Sequence, residues 1–168
     1  MGIRIEKATP SDAAMLLEYL KQVGGETDNL TFGFEGMPFS VEVEAEFISN
    51  MENSRDDIML LAKSDDKIVG CASLNRLPRR MKHRGDFAVS VAKDYWNKGI
   101  GSQLLDNIIA FARENDFEVI DLQVRSDNKS AIHLYEKYGF KKIGEHPAFF
   151  RISDENISFD IMCLELNE

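Results

Sequence analysis

The apolar positions of this chain follow two periods, and the places where one gives way to the other mark its elements. Ile3-Arg4-Ile5-Glu6-Lys7 alternates with period two and predicts a first strand. Thr9-Pro10-Ser11-Asp12 supplies a helix start, a Thr-x-x-Asp cap with proline in the first turn. Ala14, Leu16, Leu17 and Leu20 continue it as a helical stripe up to Gly24-Gly25. Residues 26–39 hold no period and contain Gly33, Gly36 and Pro38, so they read as a loop. A second helix is expected from Ser40 to Asn50, capped by Ser40, with Val43, Phe47 and Met51 turned inward.

The middle and end of the chain alternate strands with helices. Residues 58–62 form a strand, Asp65-Asp66 turns it back, and residues 68–74 return as its antiparallel partner. Residues 85–91 form the next strand. A glycine-containing turn then leads into a helix over 103–113, which presents Leu104, Leu105, Ile108, Ile109, Phe111 and Ala112 at helical spacing. Residues 117–124 read as a strand, 129–138 as a helix, and 141–150 and 157–166 as closing strands. No repeat, low-complexity tract or linker breaks this order, so residues 1–168 are expected to form one domain. The order predicts an α/β fold whose sheet is mostly antiparallel at its start. The strand–helix–strand unit around residues 87–124 should add parallel neighbours.

Composition narrows the function classes. Hydrophobic residues make up 43% and charged residues 29% of 168, an ordinary globular balance. No apolar run reaches the roughly 18 residues that span a membrane. The N-terminus lacks a signal-peptide core, and Glu6 stands where a myristoylation pattern needs Ser or Thr. A soluble cytoplasmic protein is expected, with no membrane partner. The net charge of −9 argues against a nucleic-acid partner and suits cationic ones such as amines. Cys71 and Cys163 each sit in an apolar strand run and read as buried free thiols. His83, His133 and His146 are scattered and form no ligand set, so no metal is expected. Arg76, Arg79, Arg80, Lys82 and Arg84 cluster between two predicted strands, either as a solvated hairpin loop or as a contact for an anionic group.

The chemistry concentrates in Tyr95-Trp96-Asn97-Lys98-Gly99-Ile100-Gly101-Ser102, between a strand and a helix. Free N–H groups point out of a helix N-terminus, its dipole favours negative charge, and glycines let a phosphate approach. Two glycines one residue apart make neither a dinucleotide fingerprint nor a Walker loop. A second motif follows about 25 residues on, with Asn128, Ala131, Tyr135, Gly139 and Phe140. Together, Trp96 to Gly101 and this Asn-x-x-Ala-x-x-x-Tyr-x-x-x-Gly-Phe pattern resemble the GNAT superfamily of N-acetyltransferases, most strongly over residues 58–143. Trp96 departs from the family's Arg or Gln at the first turn position and cannot supply a cation there.

The resemblance implies a GNAT-like fold: a mixed, mostly antiparallel sheet of about six to seven strands, flanked by about four helices, with splayed parallel central strands. It implies an acetyl-CoA-dependent N-acetyltransferase that moves an acetyl group to a primary amine of a small molecule or protein, and it admits a homodimer. Asn97, Lys98, Gly99, Ile100, Gly101 and Ser102 would wrap the pyrophosphate. A bulge where the central strands splay would leave a backbone donor free near Val89, Ser90 and Val91. Asn128 is a helix cap, a hydrogen-bond donor to the cofactor arm, or both, and Ala131 leaves room for the ligand. Tyr135 is a core aromatic or the general acid to the thiolate. Gln123 stands where some relatives carry a basic glutamate. The base is therefore sought in Asp86, with Glu26, Asp28 or a water chain to bulk as substitutes. The acceptor pocket is expected around residues 26–34 and the closing strands, with Glu26, Asp28 and Phe32 as its contacts. The missing glutamate leaves a second reading, a non-catalytic acyl-CoA-binding sensor or regulatory module.

Overall fold

The computed structural model describes residues 2–166. One seven-stranded sheet runs through it in the order β1-β2-β3-β4-β5-β7-β6. The strands are β1 (Ile3–Lys7), β2 (Asp57–Ser64), β3 (Lys67–Arg76), β4 (Arg84–Val91), β5 (Val119–Arg125), β6 (Lys141–Ile152) and β7 (Glu155–Glu165). All neighbours are antiparallel except β4 and β5, which the crossover through α3 makes parallel. The helices are α1 (Ala13–Glu26), α2 (Val41–Met51), α3 (Ile100–Glu114) and α4 (Lys129–Lys137).

Strand alternation sends the apolar side chains to two cores. On one face α3 buries Ile100, Leu104, Leu105 and Ile108 against Leu60, Leu74, Ile120 and Leu122. On the other, Leu16, Tyr19 and Val23 of α1 and Ile48 of α2 cover Leu61 and Ile68. Each such side chain, fully buried, contributes about 1.5–3 kcal/mol of transfer free energy. An ion-pair triad, buried at Lys63 and Asp12 and open to solvent at Glu6, pins the start of α1 to the sheet: Lys63 Nζ lies 2.7 Å from Glu6 and 2.8 Å from Asp12.

Three expectations change. The inward face of α2 is one residue out of phase with the expected one. Val43 and Phe47 are 45% and 54% exposed, while Glu44 and Ile48 face in. Ile48 and Ala45 pack into the cluster that holds α1, whereas Phe47 leans on Phe39, with ring centroids 6.1 Å apart. The central strands do splay, but without a bulge in β4. The β3–β4 register is unbroken from Gly70↔Val91 to Arg76↔Gly85. Pairing of β4 with β5 stops after Asp86↔Asp121, where β5 departs to follow β7. The basic stretch is partly internal scaffolding. Arg76 donates to Asp56, Lys82 O and Asn115 O and lies 3.8 Å over the Phe117 ring, while Arg84 pairs with Asp121 at 2.7 Å.

Candidate functional site

The splay opens a wedge whose apex is Asp86 and Asp121. Backbone alternation decides which groups of β4 face it. Ala92 N–H donates to Val69 O on the β3 side, so even-numbered residues of β4 are turned toward β3. Phe87, Val89 and Val91 therefore face away from β3: the Phe87 N–H closes the last rung on Asp121 O, and the Val89 and Val91 groups turn into the wedge. Trp96 Nε1 confirms the direction by donating to Val91 O at 2.8 Å. Trp96 thus clips the turn to the end of β4, and remains 41% exposed. Ser90 is aimed away from the wedge. Its backbone faces β3, and its hydroxyl shares a hydrogen bond with Tyr19 OH at 3.0 Å.

At the open end of the wedge stands the glycine turn. Asn97 and Gly99 both have left-handed backbones, φ 62° and 80°, on either side of Lys98. Alternation of this kind curls successive N–H groups into an anion-binding concavity. Gly99 is the N-cap of α3, and no side chain caps it. The first-turn N–H groups of a helix have no partner within it, so those of Ile100, Gly101 and Ser102 point outward. A Cβ on Gly99 would meet nothing within 4 Å, so the space over the turn is open. The Lys98 ammonium lies 5.2 Å over the Tyr95 ring, beside the turn. This geometry fits a pyrophosphate.

The second motif borders the same wedge. Asn128 caps α4, its Oδ1 accepting from Ala131 N–H at 3.3 Å, and its amide N–H groups are left for other partners. Tyr138 ties α4 to α3 through Ser102 O and Asp106. Tyr135 is buried, packed edge-on to Phe87 at 6.3 Å and against Phe140 at 5.6 Å. Its hydroxyl makes no hydrogen bond among the described residues. Burial pushes its pKa up to about 12.

A cavity of about 750 Å³ opens on the α1–α2 face and reaches through the wedge to Tyr135. Phe32, Phe39, Phe47, Phe149, Phe150 and Phe159 give it an aromatic wall. Asp86 faces it, its Oδ1 accepting from Gln123 Nε2 at 3.2 Å. Desolvation holds the Asp86 carboxyl above its ordinary range, and the Gln123 bond offsets part of that. Cys71 lines the cavity too, and burial, with a smaller push from Glu44, takes its thiol up to about 12. A thiol of that kind stays protonated and is a poor nucleophile.

Two expected acceptor contacts lie elsewhere. Glu26 ends α1 by accepting from Lys93 N–H at 2.9 Å and from Gln22, so its carboxylate braces the strand-to-helix connection. Asp28 is outside the cavity lining, and Arg125 reaches its carbonyl at 3.4 Å. Phe32 lies in the cavity wall. The acids that do face the cavity are Glu44, Asp57 and Asp86. The spacing of Glu44 to Ile48 on α2 was the available signal, because residues four apart share a helix face. Among the described residues no cluster of three or more His, Cys, Asp or Glu side chains could hold a metal.

Comparison with known proteins agrees with this geometry. The chain is 34% identical over 93 residues to N-alpha-acetyltransferase RimI of Mycobacterium tuberculosis, which covers 55% of this chain and 57% of that protein. It is 44% identical over 52 residues to streptothricin acetyltransferase A of Bacillus subtilis, covering 31% of this chain and 30% of that one. The chain thus spans little more than half the length of the curated relatives it matches, or less. Among solved structures, a GNAT-family acetyltransferase from Streptococcus pneumoniae superposes with a TM-score of 0.94 at 31% identity, over 98% of this chain and all of that one. The Salmonella typhimurium yncA protein, solved with acetyl-CoA, shares the fold at a TM-score of 0.86 and 19% identity, over 100% of this chain and 96% of that one. Residues 26–140 match the acetyltransferase (GNAT) family, and the chain belongs to it.

Proposed function

We propose that this chain transfers an acetyl group from acetyl-CoA to a primary amine by direct attack, without a covalent relay on the protein. The observation that carries the reading is one continuous path. It runs from the N–H-lined turn at residues 97–102, along the wedge between β4 and β5, into an acid-bearing cavity, with Tyr135 where wedge and cavity meet. Asn97 to Ser102 would hold the pyrophosphate. Val89 and Val91, with Asn128 and Ala131, would border the pantetheine arm. The bound cofactor supplies the acyl group activated as a thioester.

The chain's own groups then divide the work. Asp86, held above the usual carboxylate range, accepts the proton that an ammonium must lose before it can attack. The Val89 N–H faces the wedge beyond the last β4–β5 rung and is free to donate to charge developing on an acyl oxygen. Tyr135 keeps its proton at neutral pH and can give it to a departing thiolate. The protonated Cys71 thiol supports transfer in one step. Asp86 facing the cavity favours an enzyme over a cofactor sensor.

Calorimetry with CoA and thiol release from acetyl-CoA across an amine panel test the reading together. CoA should bind, and thiol should appear only when an acceptor amine is present. Binding without release on any amine would leave the sensor reading and overturn this one. No heat at millimolar CoA would overturn both.

A further inference from the structure

The acid end of the cavity asks for more than a reacting amine. Glu44 projects from α2 into the cavity, is only 6% exposed, and makes no hydrogen bond or ion pair through its side chain among the described residues. Its one electrical neighbour is the Cys71 thiol, and it is not among the charges acting on Asp57 or Asp86. Its side chain is largely covered while its carboxylate oxygens open only onto the cavity, so the partner it lacks must come from there. Among the described residues no Lys, Arg or His lines the cavity to pair with it.

Position separates Glu44 from the reaction. Cofactor held at the 97–102 turn reaches furthest toward the wedge apex, where Phe87 touches Tyr135. Cys71, beside Glu44, pairs with Ser90, three residues or about 10 Å along β4 from Phe87. Asp57 and Asp86 flank Asn75 on one rung at the other end. A reacting amine must be neutral when it attacks, so a carboxylate beside Cys71, three residues along β4 from Phe87, serves a different charge. The aromatic wall between the two ends suits an apolar spacer, and its rings favour a cation over an anion.

Resting on the proposed acetyl transfer, we infer that the acceptor is a small polycationic amine whose second, spectator nitrogen sits on Glu44 while the first reacts beside Asp86. Glu44 is then a specificity-determining residue, and acceptors carrying a carboxylate at the far end are excluded by the three cavity acids.

The test compares a diaminoalkane long enough to span about 10 Å, the monoamine of equal length and the ω-amino acid of equal length. Turnover is followed by thiol release, and binding to the CoA complex by calorimetry. The wild-type protein should prefer the diamine to the monoamine at least about tenfold in kcat/KM, chiefly through KM, and rank the amino acid last. Glu44→Gln should bring the diamine-to-monoamine ratio close to one. A ratio unchanged in Glu44→Gln, or a wild-type enzyme that treats all three alike or prefers a neutral peptide N-terminus, overturns the inference. If no amine is acetylated the transfer reading falls, and the diamine-to-monoamine binding ratio, wild type against Glu44→Gln, still decides this one.

Discussion

Replacing Tyr135 by Phe removes one oxygen and keeps the ring. The lost hydroxyl has no protein partner, and the contacts with Phe87 and Phe140 belong to the ring. Deleting a hydroxyl that opens onto the cavity and bonds to no protein group leaves no orphaned group behind, so stability should move by no more than about 0.5 kcal/mol. Catalysis should move far more. With its pKa raised to about 12, only about one hydroxyl in ten thousand is ionised at pH 8, so the wild-type acid is always loaded. Loss of a positioned general acid costs about 10²–10⁴ in rate, roughly 3–5 kcal/mol of barrier. Steady-state thiol release with a saturating acceptor gives kcat, and a thermal melt gives stability on the same sample. A fall in kcat of less than about threefold would remove Tyr135 from the chemistry. A matching loss of Tm and activity would make it a core residue and nothing more.

Asp86→Asn should flatten the acidic limb of the pH–rate profile, which the raised carboxyl of the wild type brings toward neutrality; an unaltered profile would clear Asp86 as base. Gly24→Ala should gain about 1 kcal/mol of helix propensity yet lose stability overall, because the new Cβ is driven into the Gly33 carbonyl. The loop that carries Phe32 must then move, so acceptor KM should rise, and a variant with higher Tm and unchanged KM would contradict the packing argument. Lys63→Met should cost about 3 kcal/mol in urea denaturation by taking the only cation from the largely buried Asp12 among the described residues, which keeps just its Thr9 hydrogen bonds. In the wild type, burial raises the Asp12 carboxyl, but the Lys63 and Thr9 hydrogen bonds outweigh this and leave it below its ordinary value. Its contribution is therefore present above that value and fades as pH falls through the depressed one.

The elements were legible because burial here follows simple periods. Alternation in β2 and β3 and the stripe of α3 put their side chains where the pattern says. The phase of α2 was not, because two apolar stripes one residue apart compete on it. Packing against α1 chose Ile48, and the cavity mouth took Phe47. The turn at 97–102 was legible from its glycines. Of the cavity acids Asp86 was legible from its place on the strand, but Glu44 and Asp57 were not, since an acid in a loop and an acid on a helix or strand look equally solvated until the chain folds. Glu26 was taken by the Lys93 N–H, a contact across 67 residues that no local pattern encodes. The splay is likewise a tertiary fact. It arises because β5 follows β7, and β4 needs no irregularity of its own.

The cavity acids set stability against function, and the sign of that conflict can be worked out for Glu44. Burial holds its carboxyl above the ordinary value of 4.5, with no partner to draw it back. In the unfolded chain the group ionises near that ordinary value. Below it, both states carry a neutral acid and folding meets no penalty. Above the raised value, both states are charged and the folded one bears the whole desolvation cost. The protein is therefore less stable for keeping Glu44 at neutral pH, a cost expected at sites kept for binding. Glu44→Gln, neutral at every pH, should melt above the wild type at pH 7. That advantage should shrink to nothing as pH falls through the raised value toward 4.5. A diammonium ligand should close the same gap from the other side, stabilising the wild type at pH 7 and leaving the glutamine variant less changed. A variant that melts below the wild type at pH 7 would mean that Glu44 has a partner inside the fold, and its role as a vacant anion would have to be abandoned.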